Sequence, residues 1–296
     1  MSFAAFAPAK VNLFLHVGPL RPDGFHPVCS LMAFTDVGDR LTYRPEEPPG
    51  LVVEGPFAAD LAGTDSEDNL VMRAARRLLE LAGAGPLPGR LVLEKALPAA
   101  SGLGGGSGDA GAALRLLRRA LGLSIDDAGL EAIAAELGSD GPACLWARPV
   151  LAEGRGERLI PAPASPPLPA VLVNPRVPSP TGAVYRAFDA SPPGQGADRP
   201  ALTGFADAAS AAAFLEGCRN DLEAPAAGLV PEIAAVLAWL RGRPETLLAR
   251  LSGSGATCFA LCPDEAAAAA LARAASAERP GWWARACRLG APSLDP

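Results

Sequence analysis

Apolar and polar positions alternate near the start of the chain. Val11, Leu13, Leu15 and Val17 take every second place, with Lys10, Asn12, Phe14 and His16 between them. That pattern predicts a strand carrying Lys10 and Asn12 on one face. Arg21-Pro22-Asp23-Gly24 is a turn sequence, and Phe25 and His26 open the next strand. Further strands are predicted at 40–43, 51–54 and Leu91–Leu93. The period turns helical from Asn69 to Leu81, with Leu70, Val71, Ala74, Leu78 and Leu81 on one face. It does so again from Ala110 through Ala113, Leu114, Leu117 and Leu121. Ser124-x-x-Asp127 starts a helix that ends near Leu137-Gly138.

Leu159 to Pro180 is proline-rich around one short strand, Val171-Leu172-Val173, and reads as the crossover between two domains, 1–160 and 161–296. Residues 190–200 have the composition of a mobile loop. Helices at 205–217 and 231–242 follow, then strands at 246–251 and 257–261, a helix at 264–277 and a strand at 282–289. With the Val171 strand this order is β-α-β-β-α-β, which predicts a ferredoxin-like second domain in an α/β (α+β) chain.

One stretch breaks both periods. Between Gly102 and Gly108, five of seven residues are glycine, with a strand before them and a helix after. Such a density costs backbone entropy on ordering. Close approach of amide groups to an anion at a helix start accounts for it, and phosphate is the natural occupant. The alternative is a flexible surface loop. No Gly-Lys-Ser/Thr follows, so the P-loop pattern is absent. Gly106-Ser107-Gly108-Asp109-Ala110-Gly111 fits G-x-G-x-x-G, with Asp126 about the right distance on. The fit to a dinucleotide fold is poor, because Pro98 separates the loop from its strand.

Composition narrows the picture further. The 296 residues carry a net charge of −6 without basic blocks, which disfavours nucleic acid as a partner. The longest uncharged run, Leu159 to Pro175, holds too many prolines for a membrane helix. Six cysteines lack any Cys-x-x-Cys pair and sit in apolar contexts, as expected of reduced thiols in a cytoplasmic protein. Two histidines exclude a histidine-rich metal site. Taken alone, Lys10 reads as an edge charge and Asp140, in Gly138-Ser139-Asp140-Gly141-Pro142, as a capping or turn aspartate. The sharper reading of Lys10, which shares a face with Asn12, is a cation that polarises a substrate hydroxyl or stabilises phosphoryl charge.

Three motifs together resemble the GHMP kinases (galactokinase, homoserine kinase, mevalonate kinase and relatives). They are Pro8-Ala9-Lys10-x-Asn12-Leu13-x-Leu15, Pro98-x-x-x-Gly102-Leu103-x-x-x-Ser107, and Leu251-Ser252-Gly253-Ser254-Gly255. Asp23-Gly24-Phe25-His26 and Asn174-Pro175-x-Val177-x-x-x-Thr181-x-x-Val184-Tyr185 are similar to one branch of that family. That branch phosphorylates a methylerythritol bearing a cytidine diphosphate group, in isoprenoid precursor synthesis. The resemblance implies the two-domain fold of the family. It implies that ATP, with Mg2+, is held by Gly102, Leu103, Gly104, Gly105, Gly106, Ser107 and Gly108, with Asn69 and Lys95 at the adenine. Ser107 and Asp109 are candidate magnesium ligands. Lys10 and Asp140 are the implied catalytic pair, and Asn12, Phe25, His26, Thr181 and Tyr185 the implied substrate residues. His26 would read the cytosine edge and Tyr185 would stack on the ring. Asn220-Asp221-Leu222-Glu223 also matches the branch, with a structural role expected. Ser101, Gly108 and Gly141 depart from the family pattern, and Gly141, where valine is usual, is expected to loosen its turn slightly. A homoserine- or mevalonate-type kinase and a catalytically silent nucleotide-binding protein are the alternatives.

Overall fold

The computed structural model describes residues 3–63, 65–191 and 196–295. Its spine is a long antiparallel pair, β1 (Phe3–Val17) and β2 (Val28–Arg44). The register shifts between Pro8 and Lys10 and again between Asn12 and Phe14, so irregularities bracket Lys10 and Asn12. Such shifts re-aim side chains, and β1 is buried on both faces from Ala7 to Val17. The strand expected to open at Phe25 starts instead at Val28, and the piece expected at 40–43 belongs to the same strand. Its length comes from its partners. The edge away from β1 is shared by β4 (Arg90–Glu94), β5 (Val150–Gly154) and the last strand, β10 (Trp283–Gly290). β3 (Gly50–Glu54) runs parallel to β4, and β6 (Arg158–Pro161) pairs with β5.

β7 (Leu168–Asn174), β8 (Leu248–Leu251) and β9 (Cys258–Leu261) complete the sheet in the order β10-β7-β9-β8, with every neighbour antiparallel. This is the strand order of a ferredoxin-like unit, as expected. Because β10 also pairs with β2 at Phe34 and Thr35, both halves of the chain share one ten-stranded sheet.

The helices follow from their apolar stripes. α1 (Leu70–Leu81), α2 (Gly105–Ala120), α3 (Asp127–Leu137) and α4 (Gly141–Trp146) cover the first half. Small residues let α2 lie close: Ala110, Ala112 and Ala113 are buried beside Leu114, Leu116 and Leu117. α5 (Thr181–Asp189), α6 (Ala208–Glu216) and α7 (Glu223–Leu229) precede α8 (Pro231–Arg241) and α9 (Glu265–Glu278), which pack on the second half of the sheet. α4, α5, α7, β5 and β6 had no counterpart in the sequence reading. Asp126, not Ser124, caps α3, accepting the Gly129 amide at 2.8 Å. A helix-capping Asp126 does not sit where a dinucleotide fold would need it.

Within the loop expected to be mobile, 192–195 lie outside the described residues. On its far side, Gly196 O accepts from Arg219 at 3.0 Å and Asp198 O bonds His16 Nδ1 at 2.7 Å. All six cysteines are free and buried, and no described helix is long and apolar enough to cross a membrane.

Gly141 has a packing role that corrects the expectation of a loosened turn. A Cβ at this position would overlap the carbonyl of Ala134 in α3. Glycine here lets α4 dock on α3, and Asp140 stands at the start of α4. Gly141→Val is therefore expected to lower stability by about 1–3 kcal/mol through overpacking, read as a lower urea midpoint, and to reduce kcat because Asp140 moves with the helix. An unchanged urea midpoint would remove this packing role.

Candidate active site

A cavity of about 630 Å³ lies where β1, the glycine loop, α5 and the 251–257 turn meet. The loop's shape is fixed by its neighbours. Lys10 N donates to Leu103 O at 2.7 Å, Thr257 N to Ser101 O at 3.0 Å, and Ser252 Oγ to Gly102 O at 3.0 Å. Gly102 has φ +78°, and a Cβ there would come within 2.5 Å of Ser252 O, so only glycine fits. Gly104, at φ +64°, caps α2. The first helical bond runs from Gly108 N to Gly104 O, so the amides of Gly105, Gly106 and Ser107 precede it at the positive end of the helix. Gly105, Gly106 and Ser107 line the cavity.

Beside the loop, Lys10 Nζ lies 2.9 Å from Asp140 Oδ2 and donates to Asn12 Oδ1 at 2.7 Å. Asn12 passes the network on to Ser30 Oγ at 2.8 Å, and Ser30 to Phe14 O at 2.6 Å. Lys10 and Asn12 are buried, while the Asp140 side chain is 31% exposed toward the cavity. Although Asp140 occupies the N-cap position of α4, its carboxylate makes no capping bond. The capping reading therefore gives way to a carboxylate held by a lysine at a cavity wall.

The far end is aromatic. The His26 and Tyr185 rings lie 5.2 Å apart, and Phe188 meets His26 edge-on at 5.7 Å. His26 Nδ1 lies 2.8 Å from Gly18 O, and Nε2 lies 3.3 Å from Asp189. Burial, with the negative charge of Asp140 nearby, pushes the Tyr185 phenol up to about 12. Thr181 Oγ1 and Ser254 Oγ are 2.9 Å apart and both line the cavity.

With this geometry in place, comparison with known proteins is decisive. The GHMP kinases N terminal domain profile matches residues 69–148, and the GHMP kinases C terminal profile matches 199–280. A 4-diphosphocytidyl-2-C-methyl-D-erythritol kinase of Caulobacter sp. (strain K31) is 56% identical over 294 residues, covering 99% of this chain and 100% of the relative. The chain belongs to the GHMP kinase family. A crystal structure of a 4-(cytidine 5'-diphospho)-2C-methyl-D-erythritol kinase superposes with a TM-score of 0.78 at 37% identity, over 98% of this chain and 100% of that one. A homoserine kinase from Cytophaga hutchinsonii shares the fold alone, at a TM-score of 0.66 and 18% identity, over 99% of this chain and 95% of that one.

Not every residue singled out in the sequence of this GHMP kinase reaches the cavity. Leu103 is fully buried and anchors the loop. Gly108 lies under it, where a Cβ would come within 3.3 Å of Pro8 O. Phe25 is half exposed, and neither it nor His26 lines the wall as Tyr185 does. Asn69 lines the cavity and also caps α1 through its side-chain oxygen, 2.9 Å from Val71 N. In the 251–257 turn, Asn220 Nδ2 braces the Leu251 and Gly253 carbonyls at 2.8 Å each, a structural role as expected.

Lys95 is committed beneath the loop. Its ammonium binds Asp39 and lies 2.7 Å from Asp109 Oδ2. Asp39 Oδ1 also accepts from Ala96 N and Leu97 N at 2.6 and 2.9 Å. All three charged side chains are buried. Burial raises the Asp109 carboxyl, against the pull of Lys95, while the two carboxylates outweigh burial and raise Lys95. The sequence reading missed Asp39. Its signal is weak: a second carboxylate, after Asp36, in a strand that also holds Arg40 and Arg44. Removing the cation leaves two buried carboxylates unpaired. Lys95→Met is expected to destabilise the fold by about 3–5 kcal/mol, measured by urea titration. A loss well below 1 kcal/mol would mean that the three charges are not coupled as described.

Proposed function

We propose that this chain transfers the γ-phosphoryl group of ATP to the 2-hydroxyl of 4-diphosphocytidyl-2-C-methyl-D-erythritol. The observation that carries this reading is the Lys10–Asp140 pair, in one cavity with a glycine-rich helix start and with Tyr185, whose ring lies 5.2 Å from that of His26. In this reading the free amides of the Gly104–Ser107 turn hold the triphosphate. Asn69 marks the nucleotide end, and Lys95 serves it by fixing the loop from below. Asp140 accepts the proton of the attacking hydroxyl. Lys10 keeps that carboxylate oriented and offsets charge on the transferring group. The hydroxyl oxygen bonds to phosphorus as the bond to ADP breaks, in line. Asn12 and Thr181 position the polyol. Tyr185 stacks on cytosine, with His26 and Phe25 behind it.

Magnesium fits the loop. Asp109 Oδ1 is buried without a partner, and Ser107 lines the cavity. A bound Mg2+ would neutralise charge on the triphosphate. The domain division near residue 160 and a cytoplasmic setting belong to the same proposal, the latter supported by six unpaired thiols.

Identity of 56% along the whole chain supports this substrate over homoserine or mevalonate, as does the His26–Tyr185 ring pair. An ADP-release assay with each alcohol tests the choice: turnover is expected with the cytidyl alcohol alone, and equal turnover of homoserine or mevalonate would overturn it. Asp140→Asn keeps the shape of the site but not the proton acceptor. Its kcat is expected to fall roughly 10²–10⁴-fold with ATP affinity unchanged, and a kcat near that of the parent would reject Asp140 as the base. Tyr185→Ala is expected to weaken the cytidyl substrate by about 1–3 kcal/mol and leave ATP binding alone. Titration showing the reverse pattern would mean the two ends of the cavity have been assigned backwards.

A further inference from the structure

Among the described residues, three cations line the cavity: Lys10, Lys95 and Arg155. Two of them are already committed, Lys10 to Asp140 and Asn12, and Lys95 to Asp39 and Asp109. Arg155 is different. It stands on the turn between β5 and β6, and its side chain is 50% exposed. One guanidinium nitrogen lies 3.0 Å from Asp23, and the guanidinium sits 4.2 Å over the Phe25 ring. Asp23 is itself 41% exposed, so this ion pair is wet and holds the arginine weakly.

The position of the turn gives the arginine a direction. Gly156, the next residue, packs toward Ser139: a Cβ there would lie 3.8 Å from Ser139 O. Ser139 precedes Asp140, the residue at the reacting end. On its other side, Arg155 touches the Asp23–Phe25 turn that leads into His26, at the aromatic end. Arg155 therefore lies between the two ends of the acceptor pocket. In a cytidyl alcohol the diphosphate occupies that same middle position, joining the base to the polyol. A planar guanidinium with spare donors suits phosphate oxygens, and exchanging a weak carboxylate pair for a diphosphate carries little penalty.

We propose that Arg155 binds the diphosphate of the acceptor substrate and so selects nucleoside diphosphate alcohols over free polyols. The assignment rests on the cytidyl-alcohol reading given above. It makes Arg155 a binding residue rather than a catalytic one, with the Asp23 pair and the Phe25 stack parking it while the pocket is open.

The test compares CDP with cytidine as ligands, with the nucleotide site saturated by a non-hydrolysable ATP analogue. The parent protein is expected to bind CDP more tightly than cytidine. In Arg155→Gln that preference is expected to shrink roughly 10- to 100-fold, the scale of a lost charge-assisted contact, with cytidine affinity unchanged. KM for the cytidyl alcohol should rise by a similar factor, KM for ATP should not change, and Arg155→Lys should recover part of the loss. A CDP preference that survives in Arg155→Gln overturns the assignment and leaves the kinase reading intact. If the parent protein binds neither cytidine nor CDP above the uridine counterparts, the substrate reading fails and the assignment fails with it.

Discussion

Everything at the glycine-loop end of the cavity depends on three charges that water does not reach. Lys95 comes from the residues just after β4, Asp39 from β2 and Asp109 from the first turns of α2. Burying any one of them alone would cost several kcal/mol. Together they are tolerated, and they tie sheet to helix directly beneath the glycine loop. A Cβ on Gly105 would sit 3.2 Å from the Lys95 ammonium, which shows how closely the loop is seated on this pair. The glycine content therefore serves two surfaces. Above, it leaves amides open to an anion. Below and beside, it lets the chain press against Lys95, Lys10 and the Ser252 carbonyl.

The second constraint is the continuity of the sheet. β2 contacts strands from both halves of the chain, and the 251–257 turn reaches back to Ser101 and Gly102. Residues from opposite ends of the sequence therefore form one cavity wall. Lys10 and Asn12 stand on the strand that carries this load, in a stretch where shifted register and burial on both faces leave their side chains few orientations. Arg250 adds a brace of the same kind, donating to the carbonyls of Leu13, Leu215 and Cys218 at 2.7–2.9 Å. Rigidity of this sort suits phosphoryl transfer, where the protein contributes position and charge rather than covalent chemistry.

Much of this was legible in the sequence. The glycine loop, Lys10, Asp140 and the ferredoxin-like order of the second half were all readable, because each is written in a short contiguous pattern. A helix start that holds phosphate needs glycines in a row. A strand that buries its core face needs alternation. β5, β6, α4, α5 and α7 were missed because their sequences take a structure only against neighbours far along the chain. β2 was read in pieces for a related reason: Gly38 and Asp39 interrupt its apolar pattern, yet both are demanded by tertiary contacts, Gly38 by the backbone of β1 and Asp39 by Lys95.

The sequence by itself determined the kind of chemistry: an anion loop, a lysine and a carboxylate in local motifs, and a pair of aromatic segments. Only the tertiary structure decided how these parts face one another. Asp140 is held by Lys10, 130 residues away in sequence, and makes no capping bond, while Lys95 at the cavity wall is committed to Asp39 and Asp109. Gly141 has its reason in a carbonyl of the preceding helix, and Arg155 is left as a lining cation that is itself half exposed and paired to an exposed carboxylate, Asp23. The physical reason is that backbone preference is local, whereas the state of a charge is set by whatever the fold packs beside it.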